Sequence, residues 1–375
     1  MTRKKRVAII FGGRSGEHEV SVMSARSVFQ ALDKDRFEPV MIGIAKDGDW
    51  LEIADPGAVF ERGQLRGDEG VAALIAGVPG TGEAIVAQTG ETGDLAALKS
   101  EDGSPIDIVF PVLHGPYGED GTVQGLLELA GLPYVGAGVA ASSVGMDKEL
   151  MKKVFLADGL PLGDFQAVLR KGWEAQPQQV LDEIEERFGY PCFVKPVNLG
   201  SSVGISKAKD RDELTRAFDL AAQYDRKILV EEFIKGREIE CSVLGNDNPR
   251  ASVPGEIIPS NEFYDYNAKY VDDTSDLVIP APLPQTVISR VQELSVRAFK
   301  AVDCAGMARI DFFYVEDEDR VVLNEINTIP GFTKISMYPK LWEASGVGYT
   351  ELISRLLDLA VERFEDKGRS KTTYE

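Results

Sequence analysis

The segment MARIDFFYVEDEDRVVLNEINTIPG, residues 307–331, decides the fold of this chain. Its two apolar runs are separated by the acidic segment Glu316–Arg320, which predicts an antiparallel hairpin with a short turn. A turn centred near Glu318 places Asp311 opposite Glu325. Two carboxylates that face each other within an apolar sheet repel and destabilise it, and a divalent cation would remove this penalty.

Arg309 and Asn327 extend this pattern. The same turn places them opposite each other, and the two-residue period of a strand puts them on the face of Asp311 and Glu325. Two carboxylates and an amide are hard oxygen ligands that suit Mg²⁺, which keeps open positions for water and phosphate oxygens. We therefore predict a metal site with Asp311, Glu325 and Asn327 as ligands. The alternative is a solvent-facing sheet on which these residues are simply polar.

The bulk properties exclude several classes of partner. The chain has 375 residues and a formal charge of −20, which argues against nucleic acid and anionic membrane surfaces as partners. No run of about 18 uncharged apolar residues occurs, so no membrane span is predicted. Cys192, Cys241 and Cys304 are widely separated among apolar neighbours. We interpret them as buried thiols in a reducing cytoplasm.

The segment FVKPVNLGSSVGIS, residues 193–206, has the composition of a phosphate-binding loop. Lys195 ends a strand and supplies a charge, while glycines bring backbone N–H groups close to a phosphate and Ser201 and Ser202 add hydroxyl donors. A plain hairpin loop is the alternative. The chain contains no Gly-Lys dipeptide, which excludes the usual phosphate-loop motif. Lys148 by itself is better interpreted as a surface lysine of a helix.

The N-terminal segment VAIIFGGRSGEHEVSVMSAR, which starts at Val7, has the order strand, glycine-rich turn, helix. This order suggests a dinucleotide-binding oxidoreductase as a rival function. However, the Gly-x-Gly-x-x-Gly motif ending at Gly16 would require glycine at position 11, where the chain has Phe11. Glu17, at the mouth of the helix, would repel a pyrophosphate and attract an ammonium group.

Alternating strand and helix patterns predict a parallel α/β domain followed by two further regions. We place the domains at residues 1–136, 137–232 and 233–375. The elements expected in them are strands at 7–11, 40–44, around 106–115, 191–196, 202–208 and 227–234, and helices at 20–32, 123–130, 142–159, 178–188, 286–302 and 349–364. Residues 55–105 have no clear pattern beyond short apolar runs such as Ala84–Val86, and 259–282 is predicted to be a long loop.

A resemblance rests on seven motifs that occur in order along almost the whole chain. They are FGGRSGEHEVS, HGPYGEDGTVQG, MDKELMKKV, VKPVNLGSSVGISK, FYDYNAKY, GMARIDFF and LNEINTIPGFTKISMYPKLW. Together they resemble the D-alanine–D-alanine ligases of the ATP-grasp superfamily. The resemblance implies an α/β and α+β protein, with a parallel, Rossmann-like N-terminal domain followed by a two-lobed ATP-grasp fold.

The resemblance also implies a reaction. In this family ATP phosphorylates the carboxylate of a first D-alanine, and the amine of a second attacks the acyl phosphate to form the dipeptide used in peptidoglycan. Two Mg²⁺ ions, for which Mn²⁺ can substitute, and several lysines offset the negative charge. The implied partners are ATP and D-alanine, with neither nucleic acid nor membrane, in a cytoplasmic homodimer.

Residue roles follow from matching positions. Glu17 matches the ligand of the first D-alanine's amino group, and His114 a residue that orients substrate. Arg309, Gly331 and Ser336 match the groups that hold the oxyanion and the second D-alanine. Asp311, Glu325 and Asn327 match the metal ligands. The positions that match nucleotide ligands are Lys148, Lys195, Ser201, Ser202, Glu231, Glu232, Ile234, Glu238 and Lys269.

The identity of the second substrate depends on the predicted lid. Tyr270 matches a tyrosine that bonds to the serine at Ser201, which in turn meets Glu17, and its presence favours D-alanine as the acceptor. The same class contains ligases for D-lactate or another amino acid, and these remain alternatives. A nucleotide-binding regulator without activity is a third alternative, which the full set of ligand-type residues disfavours.

Overall fold

A computed structural model of the chain describes residues 3–67, 69–72, 86–89, 95–98, 105–200, 203–258 and 276–371. The described residues form a mixed α/β protein with sheets of both parallel and antiparallel strands, as predicted. No helix within these ranges is both long and apolar enough to cross a lipid bilayer.

The N-terminal sheet has the strand order β4-β3-β2-β1-β7, in which β1, β2 and β7 are parallel and β3 and β4 antiparallel. Its buried strands β1 and β7 read as continuous apolar runs, as expected for a sheet covered on both faces. The elements of this region are β1 (Lys5–Gly12), α1 (His18–Ala31), β2 (Phe37–Ile44), β3 (Trp50–Glu52), α2 (Gly57–Arg62), β4 (Val71–Ala72), β5 (Val86–Thr89), β6 (Leu95–Leu98), β7 (Ile108–Pro111) and α3 (Thr122–Ala130).

The central sheet is antiparallel with the order β10-β9-β11-β8, and helices cover one side of it. The elements of this region are α4 (Val139–Met146), α5 (Lys148–Ala157), β8 (Phe165–Leu169), α6 (Arg170–Ala175), α7 (Pro177–Phe188), β9 (Cys192–Pro196), β10 (Ser206–Ala208), α8 (Arg211–Tyr224) and β11 (Lys227–Glu232).

The C-terminal sheet has the order β15-β14-β12-β16-β17, with β13 paired to β12. Its elements are β12 (Arg237–Gly245), β13 (Arg250–Ala251), β14 (Gly255–Ile258), β15 (Asp276–Val278), α9 (Gln285–Ala301), β16 (Gly306–Val315), β17 (Arg320–Asn327), α10 (Met337–Ala344) and α11 (Tyr349–Gly368), with a 3₁₀ turn at Glu316–Glu318. The predicted loop 259–282 therefore contains strand β15. Cys192, Cys241 and Cys304 are free and buried, as predicted.

The single helix predicted for residues 142–159 is wrong, because the structure has two helices there. Asp147 between them is extended, with φ −82° and ψ 96°, and its side chain accepts a hydrogen bond from the Leu150 amide. An aspartate in this position caps a new helix start. The break makes Lys148 the first residue of α5 and directs it toward the central sheet.

The hairpin forms with the predicted pairs Asp311–Glu325 and Arg309–Asn327. Its outer half is shifted by one residue, however, since Phe312 pairs with Leu323. A β-bulge at Asn324 absorbs the difference. The simple turn-centred register was thus right at the site and wrong toward the tip.

The C-terminal helix packs on the N-terminal sheet, which the sequence did not reveal. Leu352, Ile353 and Leu356 of α11 share one buried cluster with Val7 and Ile9 of β1. The Arg363 side chain near the end of α11 donates hydrogen bonds to the carbonyls of Tyr134 and Gly136. The first strand and the last helix of the described residues are therefore held in one core.

Candidate active site

One large cavity of about 1150 Å³ collects residues from all three regions. It lies between the central and C-terminal sheets and is bordered by the N-terminal turn at Glu17. Every predicted site residue that the structure describes lines it. Ser201, Ser202, Lys269 and Tyr270 lie outside the described residues.

Three carboxylates stand side by side on neighbouring strands of the C-terminal sheet. Asp311 on β16 is paired with Glu240 on β12 and with Glu325 on β17. The Arg309 guanidinium donates to both oxygens of Asp311 at 2.7 Å, and its Nε lies 2.9 Å from Glu240 Oε2. Asn327 Nδ2 donates to Asp311 Oδ2 at 2.9 Å. Arg309 thus relieves the repulsion between Glu240 and Asp311.

The donor set on this face fits a hard divalent cation. Asp311 and Glu325 face each other, and the Asn327 amide donates through nitrogen, which leaves its oxygen for a metal. Within the ranges that the structure describes, no three Asp, Glu, His or Cys side chains form a ready-made metal centre. A metal here would therefore complete its shell with the amide, water and phosphate oxygens, as Mg²⁺ does.

Two predicted phosphate-binding lysines point into the cavity near this face. Lys148 is not a surface residue, since its side chain is 12% exposed and its Nζ lies 3.9 Å from Glu325 Oε2. The same ammonium donates to the Leu199 carbonyl at 2.8 Å. Lys195, the penultimate residue of β9, forms an ion pair with Glu231 of β11. The cavity therefore combines cations with a potential metal site, as phosphate binding requires.

Glu231 is enclosed by two ammonium groups. Its Oε1 lies 2.6 Å from Lys152 Nζ, and its Oε2 pairs with Lys195. Burial alone would raise the pKa of Glu231, but the charges of Lys152 and Lys195 hold it at about 2. Burial alone would likewise lower the pKa of Lys195, and the charges of Glu231 and Glu325 raise it instead. Glu231 and Lys195 are therefore both charged at neutral pH.

We expect Glu231 to make folding acid-sensitive. Its folded-state pKa of about 2 lies below the ordinary 4.5, so its ionised form stabilises the protein above pH 4.5, and that contribution is lost as the pH falls toward 2. Urea unfolding of wild type and Glu231→Gln at about pH 7 and about pH 3 measures this contribution. The stability difference between the two proteins should shrink at the acidic pH. An unchanged difference would contradict the low pKa.

The other predicted nucleotide ligands lie along the connection from β11 to β12. Glu232 Oε1 accepts a hydrogen bond from the Asp164 amide at 2.9 Å. Ile234 packs against Gly163, where an added Cβ would lie 2.8 Å from its Cδ1. Glu238 is the second residue of β12. Glu232, Ile234 and Glu238 all line the cavity. The arrangement offers an apolar side chain together with two carboxylates at one end of the site.

The N-terminal turn contributes acidic groups and a histidine. Glu17 is buried, and its Oε2 lies 2.8 Å from the position of a Cβ on Gly115 and 3.0 Å from one on Gly200, so a side chain at either position would crowd this carboxylate. His114 is buried, with Nδ1 3.2 Å from the Ile329 carbonyl oxygen. Burial lowers the pKa of His114 despite the opposing effect of the Glu17 charge. A neutral imidazole can orient a substrate but carries no fixed positive charge.

Gly331 and Ser336 lie together at the start of α10. A Cβ on Gly331 would lie 3.1 Å from Ser336 Oγ. The Ser336 hydroxyl accepts from the Thr333 amide at 3.1 Å and lies 2.8 Å from the Thr333 hydroxyl oxygen. This turn presents a hydroxyl and the amino end of a helix to the cavity, a suitable environment for a carboxylate.

The sequence analysis missed several cavity residues, among them Glu119, Glu240 and Lys152. Glu119 lies near Glu17, and burial together with the Glu17 charge raises the pKa of Glu119 to about 8. Glu240 contacts Arg309, and Lys152 contacts Glu231. Spacing offered a signal for two of them, since Lys152 follows Lys148 by one helical turn and Glu240 follows Glu238 on the same strand face.

Known proteins match almost the whole length of the chain. The family described as "D-ala D-ala ligase N-terminus" matches residues 6–137, and "D-ala D-ala ligase C-terminus" matches residues 154–358. A D-alanine–D-alanine ligase from Natranaerobius thermophilus is 49% identical over 375 residues, with 99% of each chain covered. One from Ruminiclostridium cellulolyticum is 53% identical over 374 residues, with 98% of each chain covered.

Solved structures agree in fold. The D-alanine–D-alanine ligase of Coxiella burnetii superposes with a TM-score of 0.80 at 38% identity, covering 98% of this chain and 97% of its own. The VanG D-Ala:D-Ser ligase of Enterococcus faecalis gives a TM-score of 0.81 at 34% identity, covering 96% of this chain and 100% of its own. The ATP-grasp fold expected from the resemblance is thereby confirmed. The chain belongs to the D-alanine–D-alanine ligase family.

Proposed function

We propose that this protein joins two molecules of D-alanine to D-alanyl-D-alanine at the expense of ATP, through an acyl phosphate, for peptidoglycan synthesis. One observation carries the proposal: a single cavity holds the Asp311–Glu325–Asn327 face, two lysines beside it, and the buried carboxylate Glu17. Metal and phosphate ligands thus meet an ammonium-binding acid in one place.

The geometry supports a division of the cavity into three parts. Glu17 binds the ammonium group of the first D-alanine, and the neutral His114 beside it orients that substrate. Lys148 and Lys195 hold the ATP phosphates, while Glu232, Ile234 and Glu238 hold the nucleoside. The roles of Ser201, Ser202, Lys269 and Tyr270, which lie outside the described residues, remain predictions from the resemblance.

Asp311, Glu325 and Asn327 would hold two Mg²⁺ ions, or Mn²⁺ in their place. The bound metal would supply positive charge that lowers the repulsion between a carboxylate and the terminal phosphate. Lys148 adds charge from the protein side, because its Nζ lies 3.9 Å from Glu325 Oε2. Glu240 and Asp311 hold the Arg309 guanidinium in place through charged contacts. Arg309 would stabilise the oxyanion formed when the second D-alanine attacks.

The second D-alanine would bind at the turn of Gly331 and Ser336. The Ser336 hydroxyl and the start of α10 would receive its carboxylate. This placement leaves the amine of the acceptor free to attack. The homodimeric state and the cytoplasmic location implied by the family also remain predictions.

Phosphate release tests the proposed function. With ATP and Mg²⁺, we expect release in the presence of D-alanine and little with L-alanine or D-lactate. D-serine belongs in the comparison, because one structural relative is a D-Ala:D-Ser ligase. Release that needs D-lactate or D-serine as the acceptor would overturn the assignment of D-alanine. No release with any acceptor, despite ADP binding, would favour an inactive nucleotide-binding protein.

A further inference from the structure

Lys152 connects the two sheets that enclose the cavity. It follows Lys148 by one turn on α5, yet its side chain is only 5% exposed. Its Nζ lies 2.6 Å from Glu231 Oε1 on the central sheet. The same ammonium donates to the Asn324 carbonyl of β17 in the C-terminal sheet, at 3.1 Å. A buried ammonium is stable only with such partners.

Asn324 is the residue on which the metal-ligand geometry depends. It is the extra residue of the β-bulge, between the pairs Asp311–Glu325 and Phe312–Leu323. Without the bulge, the register of the hairpin tip would continue and place Asp311 opposite Asn324. A one-residue slip turns every side chain to the other face, so Glu325 and Asn327 would point away from Asp311. The bulge therefore assembles the predicted ligand set.

The bulge is held from the side of α5. The amide of Leu323 donates to the Pro161 carbonyl at 2.8 Å, and the amide of Ile326 lies 3.4 Å from Met151 Sδ. A bulge leaves a backbone group without its ladder partner. At Asn324 the backbone carbonyl instead accepts a hydrogen bond from the Lys152 ammonium. Of the three contacts to this part of β17, from Pro161, Met151 and Lys152, it is the one made by a charged group.

We propose that Lys152 is a positioning residue that keeps the bulge at Asn324 in place and so holds Glu325 and Asn327 on the face of Asp311. Through Glu231 it also ties this strand to the nucleotide side of the cavity. The inference rests on the proposed function, because it takes these residues as ligands of a divalent metal bound with a nucleotide.

The test compares Lys152→Met with Lys153→Met. Lys153 is the next residue, 58% exposed and paired with Glu149, and provides the matched control. With saturating ADP, Mn²⁺ affinity measured by electron paramagnetic resonance should fall about tenfold or more in Lys152→Met and stay at the wild-type value in Lys153→Met. Hydrogen exchange without metal should accelerate over Arg320–Asn327 in Lys152→Met only.

A second variant covers the risk that Lys152→Met folds poorly. Lys152→Gln keeps a donor for the Asn324 carbonyl without the positive charge, and we expect its Mn²⁺ affinity to lie between those of wild type and Lys152→Met. Wild-type affinity in Lys152→Met, or weaker binding with unchanged exchange over Arg320–Asn327, would overturn the role of Lys152. If wild type itself fails to bind Mn²⁺ with ADP, the proposed function fails instead.

Discussion

Replacing Glu325 by glutamine is expected to lower turnover by roughly three orders of magnitude while the protein stays folded. Glu325 faces Asp311 directly and lies within 3.9 Å of Lys148 Nζ, so its charge serves both the predicted metal and the phosphate lysine. Glutamine has the same shape but no charge. It removes both the repulsion between Glu325 and Asp311 and the attraction between Glu325 and Lys148, so stability should stay close to that of wild type.

Steady-state phosphate release and thermal unfolding measure these two quantities. Glu318→Gln is the matched control, because Glu318 belongs to the same hairpin, is 58% exposed and pairs only with Arg320 among the contacts described for it. The control should keep wild-type turnover and stability. Normal turnover in Glu325→Gln would refute the assignment of Glu325 as a metal ligand.

Replacing Arg309 by methionine is expected to damage both turnover and stability. The Arg309 guanidinium lies between Glu240 and Asp311, whose side chains are 8% and 14% exposed. Its removal takes away the positive charge that offsets the repulsion between these two carboxylates. Breaking a buried ion pair in this way costs about 3–5 kcal/mol. Loss of the cation proposed for the oxyanion should lower kcat by about 10²–10³-fold.

A double variant separates the two effects. Arg309→Met combined with Glu240→Gln removes one carboxylate together with the guanidinium, so urea unfolding should show most of the lost stability restored. Turnover should stay low, since the cation is still missing. If turnover recovers together with stability, Arg309 is structural only. Arg320→Met, at an exposed position of the same hairpin, should behave as wild type.

Much of the site could be predicted from local sequence. The hairpin follows from two apolar runs around an acidic turn, and its pairs Asp311–Glu325 and Arg309–Asn327 were predicted and confirmed. The glycine-rich turn before Glu17 and the lysine near the end of β9 are likewise local patterns. Such features depend on strand period and turn chemistry, which act over a few residues.

Contacts between distant segments could not be predicted in this way. Lys148 has no local sign of burial, and only the helix break at Asp147 and the approach of Leu199 and Glu325 bring it into the cavity. The position of α11 on the N-terminal sheet is similar, since an amphipathic helix does not specify which apolar surface it covers.

The sequence by itself determined the motifs, their order and the face that carries Asp311 and Glu325, because these depend on residue type and short-range periodicity. Tertiary structure alone decided that a bulge at Asn324 completes this face and that Lys152 reaches both Asn324 and Glu231. The physical reason is that a buried charge is stable only where partners from separate elements meet it, and that meeting depends on how the sheets pack.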